Sequence, residues 1–464
     1  MVFDIKPQVA PPLDPDFRPG VLSNHAFLDA ARSSGKAVPL VVCVQRGDGS
    51  TSVFRTQILP AEHKNARSNI EYAERLVKTL LWQRGGHKVI VGGPREIGEH
   101  ISKVYSHDGE RAFDVNLMAG VYEKPFLVEI TDADKTPEQR DESAALGRHL
   151  DGCRIGFDLG ASDRKVSAVV DGEAVFSEEV VWDPRNQTDP SYHYHEIMSG
   201  LHRAAARMPR VDAIGGSSAG VIINSRVLVA SLFRGVPKDV FEQRVKNIFV
   251  QMRERWGVPL VVVNDGEVTA LAGSMGLNAN SVLGIALGSS EAGGYVDKDG
   301  NITRWLNELA FVPVDFSPTA PVDEWSDDRG CGSQYFSQNA VVRLAPAAKI
   351  SLDASQTLAE KLKSVQDLMA KGDERARLVF ETIGCYLGYG VAYYADFYQL
   401  SHVLILGRVT SGEGGAIVLG KAQEVLTKEF PELAKSVSVN LPDESIRRVG
   451  QSVAAASLPA ITSG

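Results

Sequence analysis

The chain has 464 residues, enough for two or three domains with a substantial core. Hydrophobic residues make up 44%, charged residues 23%, and the formal net charge is -9, a globular balance that argues against a nucleic-acid surface. No apolar run reaches the ~18 residues of a membrane span, MVFDIKPQVAPPLDPDF lacks the features of a signal peptide, and the four cysteines (Cys43, Cys153, Cys331, Cys385) form no CxxC pair.

These features predict a cytoplasmic protein with neither a disulfide framework nor a membrane partner. Along the chain, the Pro-rich residues 1–40 read as a surface wrap without a core of their own. From Pro39, PLVVCVQRGDGSTSVFRTQIL reads as two strands around the turn Arg46-Gly47-Asp48-Gly49. Helical spacing of Ile70, Ala73, Leu76, Val77, Leu80 and Leu81 predicts one long helix ended by Gly85-Gly86, and KVIVGGP a short buried strand. The polar stretch from Thr131 reads as a linker or linking helix.

From Cys153 the pattern restarts: three strands (RIGFDLGASDRKVSAVVDGEAVFSEEVVW), the helix SGLHRAAARM, the strand VDAIGGSSAG, a long helix KDVFEQRVKNIFVQMRERWG, the strand PLVVVND and the helix VTALAGSMG. SVLGIALGSS and GGYVDKDGNI repeat the strand–turn–strand motif, residues 312–330 are loop, and from about Leu358 the chain is helical apart from HVLILG and SGEGG.

Four segments carry candidate chemistry. FDLGASD puts Asp158 at a strand end with Gly160 and Ser162 in the turn, suited to backbone approach by phosphates and to a metal's carboxylate, or simply a β-turn aspartate. LGIALGSSEAGG clusters Gly288, Ser289 and Ser290 after a strand, a phosphate turn or a tight hairpin. VVVNDGE ends a buried strand on Asn264 and Asp265, where α/β sheets bind ligands; Asp265 is a general base or a helix cap. LILGRVTSGEGG turns at Gly407 and Arg408, against which an adenosine can lie, or is a plain connection. His193 and His195 in SYHYHEIM read as surface or core residues, not ligands.

The order of these segments resembles the ROK family (repressors, open reading frames and sugar kinases), with an actin-like ATPase, ribonuclease H-like fold of class α/β. Asp158-Leu159-Gly160-Ala161-Ser162 resembles its DxGGT-type turn, Ile214 to Gly220 its IGxxxPG stretch, Asn264-Asp265-Gly266-Glu267 its NDAN strand end, Gly288 to Gly294 its GTGIGGG turn and Ile405-Leu406-Gly407-Arg408 its late IVLGGG turn. The match runs from about Cys153 to the C-terminus, roughly two thirds of the chain.

Residues 1–150 lie outside the match and read as an accessory α/β domain of unknown role; the resemblance implies an N-terminal lobe at 151–275 and a C-terminal lobe with nucleotide-binding turns at 276–464. It implies ATP-dependent phosphorylation of a sugar-type hydroxyl in a cleft between lobes, with Asp265 as base and Asn264, Ser218, Gly220, Glu308 and Gln338 facing the sugar. Asp158, Gly160, Ser162, Gly288, Ser289, Ser290, Gly407 and Arg408 would bind ATP, Asp158 holding Mg²⁺, directly or through water. A homodimer is common in the family.

Departures accompany the match. The family's ExGH histidine falls on Phe311, and its CxCGxxGCxE zinc segment resembles Arg329 to Gln338, where only Cys331 remains as a ligand; no structural zinc is expected. Glu291 would alter phosphate access. Residues 1–150 do not read as the family's winged helix-turn-helix, since they show one long helix and no basic recognition helix; a degenerate copy of the fold's own half is the other reading. The altered sugar segment keeps a second function open: a non-catalytic sugar- or nucleotide-responsive binding protein on the same fold.

Overall fold

The computed structural model describes residues 5–141, 146–229, 232–442 and 444–461. Packing divides the chain into two units, neither continuous in sequence. The first comprises Met1–Glu142, Ile285–Gly293 and Arg304–Leu441; the second comprises Ser143–Gly284, Gly294–Thr303 and Pro442–Gly464.

The first unit corrects the reading of residues 1–40 as a wrap. They contain helix α1 (Gly20–Ser33), whose Val21, Phe27 and Ala31 are fully buried, with Phe27 stacked on Tyr72 at 4.3 Å. Its buried face is mostly small residues, which is why it carried little periodic signal. Strands β1 (Val38–Gln45) and β2 (Thr51–Ile58) form the expected hairpin. Helix α2 (Ser68–Arg84) stops at Gly85, and Ala73, Leu76, Val77, Leu80 and Leu81 are buried as the spacing predicts, whereas Ile70 is exposed.

Strand β3 (Lys88–Gly92) pairs antiparallel with β1. Helices α3 (Arg95–Val104) and α4 (Ala112–Tyr122) follow, then β4 (Leu127–Thr131), parallel to β3, giving the order β2-β1-β3-β4. The segment therefore has four helices where sequence reading gave one. The expected linker after Thr131 holds a single 3₁₀ turn, Ala133–Lys135, and Arg140 bridges to Thr51.

In the second unit, β5 (Cys153–Leu159) is buried throughout, and β6 (Asp163–Val170) and β7 (Glu173–Val181) extend it antiparallel. Helix α5 (Ser191–Ala205) leads to β8 (Ala213–Ser218), parallel to β5, and the small hairpin β9 (Val221–Ile223)–β10 (Arg226–Val229) follows. The predicted long helix from Lys238 is broken. A helical turn α6 (Lys238–Val240) runs into a π turn at Phe241–Val245, and only after Asn247 does α7 (Ile248–Trp256) begin. The wider π turn resets the helical phase, so that Val245, Ile248 and Phe249 all reach the core.

Strand β11 (Leu260–Asn264) pairs parallel with β8 and runs into α8 (Asp265–Leu277). The sheet order is β11-β8-β5-β6-β7. Here β8, the strand after helix α5, pairs parallel with the first strand β5, whereas β3, the strand after helix α2, pairs antiparallel with β1. The first sheet is thus not a copy of the second.

A further sheet has the order β13-β12-β14-β15, from β12 (Val282–Leu287), β13 (Glu291–Val296), β14 (His402–Leu406) and β15 (Ser438–Asn440). The helices of this stretch are α9 (Gln338–Leu344), α10 (Leu358–Ala370), α11 (Glu374–Ala395), α12 (Glu413–Glu429) and α13 (Pro431–Ser436). The last element, α14 (Glu444–Ala456, kinked at Gly450), returns to the second unit and crosses β5 and β8. A Cβ on Gly156 would lie 1.6 Å from Ser452 O and one on Gly215 1.7 Å from Ala455 O, so only glycine admits the helix backbone there. No helix among the described residues is long and apolar enough to cross a membrane.

Candidate active site

Parallel pairing places the ends of β5, β8 and β11 at one edge of the second unit's sheet. Leu159 is in register with Ser218, and Ser218 with Asn264. Asp158 and Asp265 therefore stand two strands apart along that edge, about 10 Å by sheet geometry. Asp158 is buried, and burial pushes its carboxyl up to about 6, with the charge of Asp265 adding to the shift. The buried Ser217 hydroxyl beside it lies outside hydrogen-bond geometry and opposes part of that shift. Lys165, in register with Asp158 on β6, opposes it too.

Asp265 occupies the first helical position of α8. The cap is Asn264, whose Oδ1 accepts from the Gly266 N–H at 2.7 Å while its Nδ2 donates to Gly220 O at 2.7 Å. The capping role that competed for Asp265 is thus filled by its neighbour. Asp265 Oδ1 also accepts from Gly266 N–H at 3.0 Å; no cation among the described residues pairs with the carboxylate, it stays partly exposed, and burial raises its pKa. A carboxylate without a cation partner keeps its basicity, as a general base requires.

The rest of the predicted set in this unit lies close by in the fold. Gly160 turns the chain by donating to Asp163 O at 3.0 Å, its own carbonyl accepts from Trp182 Nε1 at 2.8 Å, and Ser162 Oγ donates to Asp163 at 2.9 Å. Ser218 is buried at the end of β8. Ser217 was missed by sequence reading, although paired serines ending a buried strand are a usable signal.

In the first unit, the Gly288 turn, Gly407 and Gln338 converge. Gly407 has φ 98°, and a Cβ there would sit 2.4 Å from Leu287 O, so glycine alone lets the β14 turn meet the end of β12. Gln338 N–H donates to Gly288 O at 2.9 Å, and its side chain is buried. Ser289, Ser290, Gly407 and Arg408 are exposed. Glu308 sits elsewhere in the unit, its N–H donating to Trp82 O at 3.0 Å.

Glu291 does not crowd the turn, contrary to the sequence reading. Its side chain is buried, its Oε1 accepts from Tyr394 OH at 2.9 Å, and burial pushes its carboxyl up to about 8. Phe311 stacks on Trp82 at 4.1 Å, and Trp82 Nε1 donates to Asp114 at 2.8 Å.

Zn²⁺ does not fit beside Cys331. Burial pushes that thiol up to about 12, and the buried ion cluster next to it is already closed: Asp328 meets Arg75 (3.0 Å), Lys78 (3.1 Å) and Arg111 (2.7 Å), while Glu74 meets Arg75 (2.7 Å) and Arg111 (2.6 Å). Three cations there repel a dication.

No family model and no curated protein matches the chain. Solved structures do. A ROK-family glucokinase from Streptomyces griseus, solved with glucose and AMPPNP, is 21% identical over 66% of this chain and 98% of that chain, with a TM-score of 0.48. A ROK hexokinase from Thermus thermophilus is 18% identical over 65% and 97%, with a TM-score of 0.49. A ROK-family transcriptional regulator, a homolog of the E. coli MLC protein, superposes with a TM-score of 0.53 at 16% identity, over 67% of this chain and 78% of that chain.

The chain has the ROK fold. This is the α/β, actin-like ATPase architecture that the order of motifs implied. In this chain the helical and sheet elements of residues 5–141 belong to the same packing unit as residues 304–441.

Proposed function

We propose that the chain is a ROK-family carbohydrate kinase that transfers a phosphoryl group from ATP to a sugar or sugar-like hydroxyl, with Asp265 as general base. The observation that supports this reading most is Asp265 itself: a strand-end carboxylate with no cation partner among the described residues, partly exposed, two strands from a second carboxylate at Asp158. In this reading a substrate hydroxyl gives its proton to Asp265 as its oxygen attacks the γ-phosphorus, the bond from that phosphorus to the β–γ bridging oxygen breaks, and ADP leaves. Mg²⁺, when bound, offsets phosphate charge, and Asp158 would hold it. Asn264, Ser218 and Gly220 would orient the sugar. The turns at Gly160-Ser162, Gly288-Ser290 and Gly407-Arg408 would receive the nucleotide.

Asp265→Asn tests the assignment. Turnover in a coupled assay across hexoses, amino sugars and polyols is expected to fall about 10²–10⁴-fold while ATP binding persists. Unchanged turnover would reject Asp265 as the base. The aromatic stack of Phe311 on Trp82, where the family places a histidine, favours a second reading: a sugar-responsive binding protein that performs no chemistry. Ligand binding by the wild-type chain, without phosphotransfer to any sugar in the panel, would select it.

A further inference from the structure

Residues 329–338 resemble a zinc segment but keep only Cys331 of its ligands, so something other than a metal must hold them. The structure shows what does. Lys78 of α2 is fully buried, with its ammonium 3.1 Å from Asp328 and 3.3 Å from Asp114. Arg75 and Arg111 reach the same Asp328 carboxylate and share Glu74. Three cations thus face three carboxylates, and none of the six side chains is more than 12% exposed, so water screens them little. Five of the six come from residues 74–114. Only Asp328 belongs to the loop that is held.

That loop is closed on its other side by Asp323, whose carboxylate accepts from Ser326 N–H and Ser333 Oγ, each at 2.8 Å. Gly332 N–H donates to Val312 O at 2.9 Å, and a Cβ on Gly332 would lie 2.8 Å from Leu309 O, so the loop touches the stretch around residue 310. The end of α2 holds the start of that stretch. A helix ends on carbonyls that lack an intrahelical donor. Here those of Trp82, Gln83 and Arg84 accept from the consecutive N–H groups of Glu308 (3.0 Å), Asn307 (3.0 Å) and Leu306 (3.3 Å). The Arg84 guanidinium lies 3.2 Å from the centre of the Trp305 ring, and Tyr398 OH donates to Asn307 Oδ1 at 2.8 Å, fixing a residue with left-handed backbone (φ 52°).

We propose that the N-terminal segment is a built-in substitute for a structural metal: Arg75, Lys78 and Arg111 fix the loop at 322–333 through Asp328, and the last turn of α2 fixes the loop at 305–308. Zn²⁺ would order such a segment from within, by gathering four ligands. Here order comes from outside, because moving Asp328 away would leave cations unpaired in a dry interior. Residues 5–141 therefore position loops of their own unit, and do so without zinc. This role holds whether or not the chain is a kinase.

Hydrogen–deuterium exchange of the full chain, read by mass spectrometry, tests it. Lys78→Met leaves Asp114 and Asp328 overcharged, and is expected to speed exchange at 322–333 at least about tenfold while β5, β8 and β11 keep wild-type rates. Lys78→Met/Asp114→Asn removes one charge of each sign and should return exchange most of the way to wild type. Arg84→Met should speed exchange at 305–308 and leave 322–333 unchanged. Dialysis of the wild type against EDTA should alter neither loop. Unchanged exchange at 322–333 in Lys78→Met, acceleration spread evenly over both units, or a double variant as fast as the single one overturns the role of the cluster. Should Lys78→Met fail to fold, recovery of folding in the double variant supports the proposal and its absence overturns it. Faster exchange after EDTA would show a metal doing this work and overturn it as well. None of these outcomes bears on Asp265, so the kinase reading stands or falls separately.

Discussion

At the scale of single residues, burial does most of the chemistry. Asp265 is held by backbone N–H groups and by no side-chain cation among the described residues, and burial raises its carboxyl above the usual aspartate value. If it is the base, kcat/KM should fall on acidification through a pKa above the ordinary aspartate range, and that acid limb should vanish in Asp265→Asn; a pH–rate profile checks both. Glu291 gives a prediction about stability. Its folded-state carboxyl is raised to about 8, so the folded chain binds a proton that the unfolded chain releases at lower pH. Its favourable contribution is complete below the unfolded value of ~4.5 and is lost as pH rises towards 8. Glu291→Gln should therefore be more stable than wild type at pH 8 and close to it near pH 4, as urea melts at the two pH values would show. The chemistry-bearing residue types and strand ends were legible here, because Asn-Asp after three valines is a local pattern. That Asn264 takes the cap, or that Glu291 turns inward to Tyr394, was not legible, since both depend on contacts with residues 44 and 103 positions away.

At the scale of elements, α2 is the helix most changed by its surroundings. Its apolar spacing was plain in sequence, but its polar side chains are buried too, in the ion cluster built on Asp328. Desolvation opposes the Asp328 charge, yet Arg75, Lys78 and Arg111 hold its carboxyl well below the aspartate range. Asp328→Asn removes the carboxylate shared by three buried cations, leaving Arg75 and Arg111 to share Glu74 and Lys78 to pair with Asp114, and should destabilise the chain by about 3 kcal/mol in equilibrium denaturation. The contribution of Asp328 is present above its unfolded value of ~3.9 and is lost as pH falls towards its folded value, so the variant should lose part of the acid sensitivity of the wild type. Elements that sequence reading missed share one cause. α1, α3 and α4 lie in segments whose periodicity is short or masked by proline and charge, and the π turn at Phe241–Val245 breaks a pattern that reads as one helix in a linear projection.

At the scale of the whole molecule, motif order carried the fold from sequence: five weak segments in the right succession pointed to the architecture that superposition supports at a TM-score of 0.53. The division of the chain was not legible, because each unit collects segments separated by more than a hundred residues. Helix α14 makes this concrete: β5 and β8 keep Gly156 and Gly215 bare so that Ser452 and Ala455 can rest on them. During synthesis, β5 (Cys153–Leu159) and β8 (Ala213–Ser218) leave the ribosome long before that helix (Glu444–Ala456) does. Until then the central strands of the second unit present an uncovered apolar face, and the nascent chain is then at its most dependent on chaperones.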